Sequence, residues 1–302
     1  MKIVLTGSLG NIGKILAPQL IARGHELTII SSNSERRATI EALGAQVAIG
    51  QMQDVDFLTE TFSGADLVYL METMESVGDM FDPEVDFIAG ITAIGRNYQT
   101  AVQQSGVKKV IHLSSIGAHM NEGNGILLFH HNVEQLLRQL PEDIAIKFIR
   151  PVGFYLNLFS FIPTIKKQGK IVSNYGGGQK EPWVSPTDIA EVIAEAVDLP
   201  FAGRTVRYVA SDEVSPNEVA TALGEAIGQS DLKWTAIPDE ELLNNWLKIG
   251  FNPQVARGFV ELQASQGSGK LYEDYVANRP VLGKVKLADF AKEFAEVYHS
   301  KS

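Results

Sequence analysis

Gly7-Ser8-Leu9-Gly10-Asn11-Ile12-Gly13 follows a short apolar run and opens a segment of helical period. Glycines at this spacing permit a tight turn, close approach of a diphosphate to the backbone, and packing of the helix on the strand. The helix N-terminus adds aligned N–H donors, so the chemistry is capture of a dinucleotide pyrophosphate. Gly7, Leu9, Gly10, Asn11, Ile12 and Gly13 are the expected contacts. A second apolar run closes at Ile30, where a site for NAD would place an acid on the ribose hydroxyls. Ser31-Ser32-Asn33-Ser34-Glu35-Arg36-Arg37 stand there instead. No carboxylate at the end of the run repels a 2′-phosphate, so Ser31, Ser32, Asn33 and Arg36 are expected to receive one. NADP(H) is therefore favoured over NAD(H). Arg37 reads equally well as a charge on a solvated helix face.

Such a loop needs a parallel sheet to carry it. Apolar runs at 2–6, 26–30, 46–49, 66–70, 109–114 and 144–149 alternate with longer amphipathic segments, the pattern of a doubly wound α/β sheet covered on both faces. The stripe Ile12, Ile15, Leu16, Leu20 and the stripe Ile88, Ile91, Ile94, Tyr98, Ala101, Val102 each bury one helix face. Pro18 removes a backbone bond inside the first helix and predicts a local kink. Ser185-Pro186-Thr187-Asp188 has the hydroxyl cap, first-turn proline and carboxylate of a helix start, and 205–210 reads as a strand. The spacing predicts a dinucleotide-binding Rossmann domain over 1–150, with 185–210 returning to it. Segments 151–184 and 211–302 are expected to form a smaller, mainly helical substrate lobe over the carboxyl ends of the strands.

The chain has 302 residues, with 26 basic and 36 acidic side chains and a net charge of −10. That balance, without a basic patch, argues against direct contact with nucleic acid or an anionic membrane. The absence of cysteine removes disulfides, thiolate metal sites and thiol nucleophiles. His130 and His131 point about 100 degrees apart on a helix and cannot share a metal, so none is expected. A cytoplasmic monomer or homodimer acting on a small molecule is the default expectation.

Several segments carry a family resemblance: 31–50, ending in Glu41-Ala42-Leu43-Gly44-Ala45-Gln46-Val47; 106–115, from Gly106-Val107 through Leu113-Ser114-Ser115; His130 with Val133-Glu134; Arg150-Pro151 with Phe154, Tyr155 and Asn157; and Arg279-Pro280 with Phe290. Together with the GxxGxxG spacing, the chain resembles the NmrA-like group of atypical short-chain dehydrogenase/reductases. The group resembles both quinone reductases and proteins that bind the dinucleotide as sensors. Ser32 departs from the family, which often places an arginine there for the 2′-phosphate.

The superfamily's proton donor is a tyrosine with a lysine four residues later. Alignment on Val133-Glu134 puts Ile126 at the tyrosine position and His130 at the lysine position. Hydride addition to a ketone leaves an alkoxide whose conjugate acid has a pKa of about 16. Addition to a quinone leaves a phenolate-like anion nearer about 10. The difference is about 8 kcal/mol at 1.36 per unit. A quinone therefore tolerates loss of the phenol, whereas an unactivated ketone does not. Some quinone-reducing members of the group resemble this chain in carrying His at the lysine position.

His130 is expected to bond the nicotinamide ribose or the reduced acceptor's oxygen, and Ser115 to bond the substrate oxygen. Phe154 and Tyr155 are expected to wall a flat acceptor, with Asn157 as a polar contact. Met71, Met74 and Met80 read as gap-fillers beside the crevice. The glycine-rich segments 117–125 and 173–179 are candidate lids. The leading reading is transfer of hydride from NADPH to a quinone or similarly activated acceptor. An NADPH/NADP sensor acting through a protein partner is the second, and a nucleotide-sugar epimerase, which needs the Tyr/Lys pair, is the last.

Overall fold

The computed structural model describes residues 1–300. The strands are β1 (Lys2–Leu5), β2 (Glu26–Ser31), β3 (Gln46–Ile49), β4 (Leu67–Leu70), β5 (Lys109–Leu113), β6 (Ala145–Pro151), β7 (Gly153–Phe154), β8 (Lys170–Ser173), β9 (Glu181–Val184), β10 (Arg204–Val209), β11 (Asp212–Val214) and β12 (Lys233–Ala236). The helices are α1 (Gly13–Ala22), α2 (Arg37–Ala42), α3 (Val55–Phe62), α4 (Phe87–Ser105), α5 (Leu128–Arg138), α6 (Ile162–Gln168), α7 (Pro186–Asp198), α8 (Pro216–Ile227), α9 (Asp239–Lys248), α10 (Pro253–Ser268), α11 (Glu273–Ala277) and α12 (Leu287–Ser300). Seven strands form one parallel sheet in the order β10-β6-β5-β4-β1-β2-β3. The order reverses between β1 and β4, which opens a crevice at their carboxyl ends.

Alternation along the strands builds two apolar layers. Ile3 and Leu5 of β1 face Leu16 and Leu20 of α1 and Ile189 and Ile193 of α7, whereas Val4 faces the other layer with Phe62, Phe87, Ile91, Tyr98 and Leu137. α1 continues through Pro18, which lies on its exposed side while Leu16, Ala17 and Leu20 hold the buried side. Packing outweighs the missing backbone bond. Side-chain caps set the starts of α3, α4 and α7: Asp54 accepts from Phe57 N at 3.0 Å, Asp86 from Ala89 N at 2.9 Å, and Ser185 from Thr187 N at 3.2 Å. No helix among the described residues is long and apolar enough to cross a membrane.

The remaining elements hold a third core, built from Tyr155, Leu158, Ile162, Trp183, Trp234, Phe290 and Phe294. This region is mainly helical, as expected, and also carries two small sheets, β11-β9-β7 and β12-β8, that the sequence did not suggest. Strands of two to four residues give no readable alternation, and Pro182 inside β9 argues against a strand in sequence.

Glu181 lies buried here, accepting from the hydroxyls of Tyr175 at 3.1 Å and Tyr272 at 2.8 Å. Burial outweighs these two bonds and pushes its carboxyl from the ordinary 4.5 up to about 7. The folded state holds this proton more tightly than the unfolded chain, so stability falls as pH rises between those values. Glu181→Gln is expected to be nearly neutral at pH 5 and to stabilise by about 3 kcal/mol at pH 8. Urea unfolding at both pH values checks this, and an equal effect at both would contradict it.

Candidate dinucleotide cleft

A cleft of about 900 Å³ opens at the reversal point, and all six glycine-loop residues expected to bind the diphosphate line it. Gly7 and Ser8 take left-handed φ values of +81° and +51°. A Cβ on Gly13 would stand 2.1 Å from the Ser8 carbonyl oxygen, so the third glycine is demanded by backbone. A Cβ on Gly7 would meet Met71 Sδ at 2.4 Å, a flexible neighbour able to move. The Ser8 hydroxyl is buried without a partner.

Ser31, Ser32, Asn33 and Arg36 line the opposite end. The Ser31 hydroxyl donates to Asn33 O at 3.1 Å and accepts from Asn33 N at 3.2 Å. Asn33 Oδ1 caps the following turn by accepting from Glu35 N at 2.8 Å. These bonds shape the loop and leave Ser32, Arg36 and the Asn33 Nδ2 amide with groups open to a ligand. Arg37 instead pairs with Glu41 at 3.4 Å on the solvated face.

Ser115, His130 and Phe154 line the remaining end, with Met71, Leu113, Ser114 and Pro151. Ser114 is committed elsewhere, donating to Glu134 Oε1 at 2.6 Å. The Ser115 hydroxyl has no partner among the described residues. His130 sits in the first turn of α5, with Nδ1 sealed from solvent and unpartnered. Burial, then the charge of His112, lowers its pKa to about 3 against the opposing pull of Glu134, so the ring is neutral at physiological pH. A buried lone pair without a partner is better tolerated than a buried N–H without one, which assigns the ring proton to Nε2. Ile126 is buried one turn earlier. Tyr69, on the cleft floor, and Tyr98, on α4, are both buried, and burial followed by the Glu72 charge raises their phenols well above the ordinary range. Neither holds a mobile proton near neutral pH.

Two expected contacts lie elsewhere. Tyr155 is fully buried in the third core, stacked 5.1 Å from Phe290 and 6.1 Å from Trp183. Asn157 is exposed and does not line the cleft. The tight turn Tyr155–Phe161 starts directly after Phe154 and swings both side chains away from β6. Neither glycine-rich segment lines the cleft, and both are tied to neighbouring elements. Asn124 Nδ2 donates to Gly117 O at 3.0 Å and Met120 O at 2.9 Å, and a Cβ on Gly125 would stand 1.9 Å from Gly258 O. Ser173 donates to Gln263 at 2.8 Å, and Trp234 Nε1 donates to Tyr175 O at 2.6 Å. Met71 lies against the glycine loop, whereas Met74 and Met80 pack against the second apolar layer.

Four buried groups at the site were not read from sequence: Glu72, His112, Glu134 and Arg150. For Glu72, His112 and Arg150 the signal is a charged or imidazole residue within or just after an otherwise apolar strand, whereas Glu134 lies on α5. Arg150 Nε and Nη2 donate to the two Glu134 oxygens at 2.8 Å each, and Nη1 reaches Asp274 at 3.1 Å. Burial alone would raise the Glu134 carboxyl. The Arg150 bonds and charge, with Ser114, hold it at about 2.

A doubly wound parallel sheet with a glycine loop at its reversal point defines the Rossmann class of dinucleotide-binding folds. The profile of the NmrA-like family matches residues 1–295, and the chain belongs to that family. It is 24% identical over 263 residues to an NAD(P)H azoreductase of Xenophilus azovorans, covering 87% of this chain and 86% of that protein. An NADPH-dependent quinone oxidoreductase of Escherichia coli, solved with NADPH, superposes with a TM-score of 0.77 at 17% identity, covering 96% of this chain and 99% of that one. Triphenylmethane reductase of Citrobacter sp. superposes with a TM-score of 0.75 at 18% identity, covering 98% and 100%.

Proposed function

We propose that this protein is an NAD(P)H-dependent oxidoreductase that passes a hydride from NADPH to a quinone or similarly activated small acceptor. The observation that carries the reading is a glycine loop closed by the Ser8–Gly13 contact, facing across one cleft a neutral imidazole and no mobile phenol. The named activities of the azoreductase, quinone oxidoreductase and triphenylmethane reductase, all reductions of conjugated acceptors, support it. The residues present fit the dinucleotide: a loop cradle that a Cβ on Gly13 would fill, and beside it the buried, unpartnered Ser8 hydroxyl, both on residues that line the cleft.

When bound, NADPH supplies the hydride. The loop amides of Asn11 to Gly13, at the α1 N-terminus, hold the diphosphate. Ser32 and Arg36 hold the 2′-phosphate and set the preference for NADP(H). His130 Nε2–H and the Ser115 hydroxyl donate hydrogen bonds to the acceptor oxygen as charge develops there, and Phe154 forms an apolar wall. Arg36→Ala removes a charge-assisted bond of about 1.5–3 kcal/mol. It is expected to weaken NADPH by about 10- to 100-fold and to leave NADH nearly unchanged, as read by fluorescence titration of both. His130→Ala is expected to lower turnover while the affinity for NADPH changes little.

Stopped-flow oxidation of NADPH with a panel of quinones tests the assignment. Turnover above the free-solution rate is expected. NADPH that binds but passes no electrons to any acceptor would favour a dinucleotide sensor instead.

A further inference from the structure

Charge is distributed unevenly along the cleft. Among the described residues, the charged side chains of its lining are Lys14, Arg36, Glu72 and Glu75. Both cations stand on the dinucleotide side: Lys14 follows Gly13 in the first turn of α1, where there is no acid, and Arg36 closes the turn Ser34–Arg36 after β2. The two acids follow β4. Glu72 is sealed from solvent with His112 Nε2 at 3.1 Å, and Glu75 is exposed. The far end is walled by Met71, Leu113, Ser115, Pro151, Phe154 and His130, none of them charged, because burial keeps the His130 ring neutral. Arg150, next to Pro151, spends its nitrogens on Glu134, Asp274 and the Tyr208 hydroxyl and has none free for a ligand.

The acceptor therefore meets two uncharged donors, His130 Nε2–H and the Ser115 hydroxyl, and both are needed where negative charge develops on the reacting oxygen. A sulfonate or carboxylate already present on the acceptor would lose its water without gaining a counter-charge, or would draw these two donors away from the reacting oxygen. We infer that this end of the cleft selects conjugated acceptors bearing no negative charge and turns away aryl sulfonates and carboxylates. Such selection rests on the proposed transfer of hydride to a quinone-like acceptor and narrows the class of that acceptor. A neutral quinone fits, and so does a cationic dye, which hydride neutralises.

A naphthoquinone and its ring sulfonate test the selection in steady-state turnover. Each takes one hydride from NADPH and one proton from solvent to give the hydroquinone, so the same bonds form and break with both. The sulfonate withdraws electrons and makes its ring the more reactive toward hydride, so a slower enzymatic reaction has to come from the site. The sulfonate's kcat/KM is expected to be about 100-fold below that of the parent, near the upper end of what one charge-assisted hydrogen bond contributes. In Phe154→Lys, and independently in Met71→Lys, an ammonium added to that wall is expected to raise the sulfonate-to-parent ratio by about 10-fold or more. Exclusion by bulk alone predicts no such gain. Comparable kcat/KM for the two acceptors in the unaltered protein, or a ratio that neither variant raises, would overturn the charge selection and leave the oxidoreductase reading standing. Reduction of neither acceptor by the unaltered protein would overturn both.

Discussion

Replacing Gly13 with alanine is expected to weaken dinucleotide binding by at least about 100-fold, or roughly 2.7 kcal/mol. The added Cβ would stand 2.1 Å from the Ser8 carbonyl oxygen, so the loop itself must move. That oxygen belongs to a residue already held at φ +51°, with little freedom to adjust without unwinding the turn. The amides that face the diphosphate ride on the same turn, so their convergence is lost with it. The sheet and the α1 stripe do not depend on this contact, and circular dichroism should report an intact fold. Gly7→Ala is expected to cost less, because Met71 can swing aside and only the left-handed backbone is penalised. Calorimetric titration of both variants with NADPH checks the order. Equal affinities for Gly13→Ala and the unaltered protein would contradict the loop geometry.

Arg150→Met is expected to destabilise the protein by about 3–5 kcal/mol, because it leaves the Glu134 carboxylate buried without its bidentate partner. The pH dependence gives the sign. In the unaltered protein the folded pKa of Glu134 lies at about 2, below the ordinary 4.5. Its contribution is therefore fully present above 4.5 and is lost as pH falls toward 2. In the variant, burial dominates and the carboxyl rises, so acidification should recover stability. The double variant Arg150→Met/Glu134→Leu should recover much of the loss at neutral pH. Urea unfolding between pH 3 and 7 distinguishes the cases, and an unchanged pH profile in Arg150→Met would refute the pairing. Since Glu134 lies one helical turn beyond His130 on α5, the network also fixes the height of that imidazole over the cleft.

Much of this was legible from residue order. The six runs read as strands are β1 to β6 within two residues at each end, because buried parallel strands are short, apolar and bounded by turns. Gly7 to Gly13 could be placed because a tight turn and a backbone contact leave glycine little competition. Tyr155 could not: Phe154 and Tyr155 are both aromatic, and only the onset of the tight 3-10 turns over Tyr155–Phe161 decides that one stays at the cleft while the other enters a core. Glu72 and His112 were missed for a different reason. Each is a single polar residue near an apolar strand, and only the register Leu70↔His112 brings β4 and β5 together at that height. The pairing of Arg150 with Glu134 likewise joins a strand to a helix and leaves no periodic trace.

Titration calorimetry of the purified protein with NADPH and with NADH tests the central claim most directly. The cleft geometry predicts saturable binding of NADPH, weaker binding of NADH, and loss of both in Gly13→Ala. Absence of heat with either nucleotide, under conditions where the protein is folded, would contradict the account.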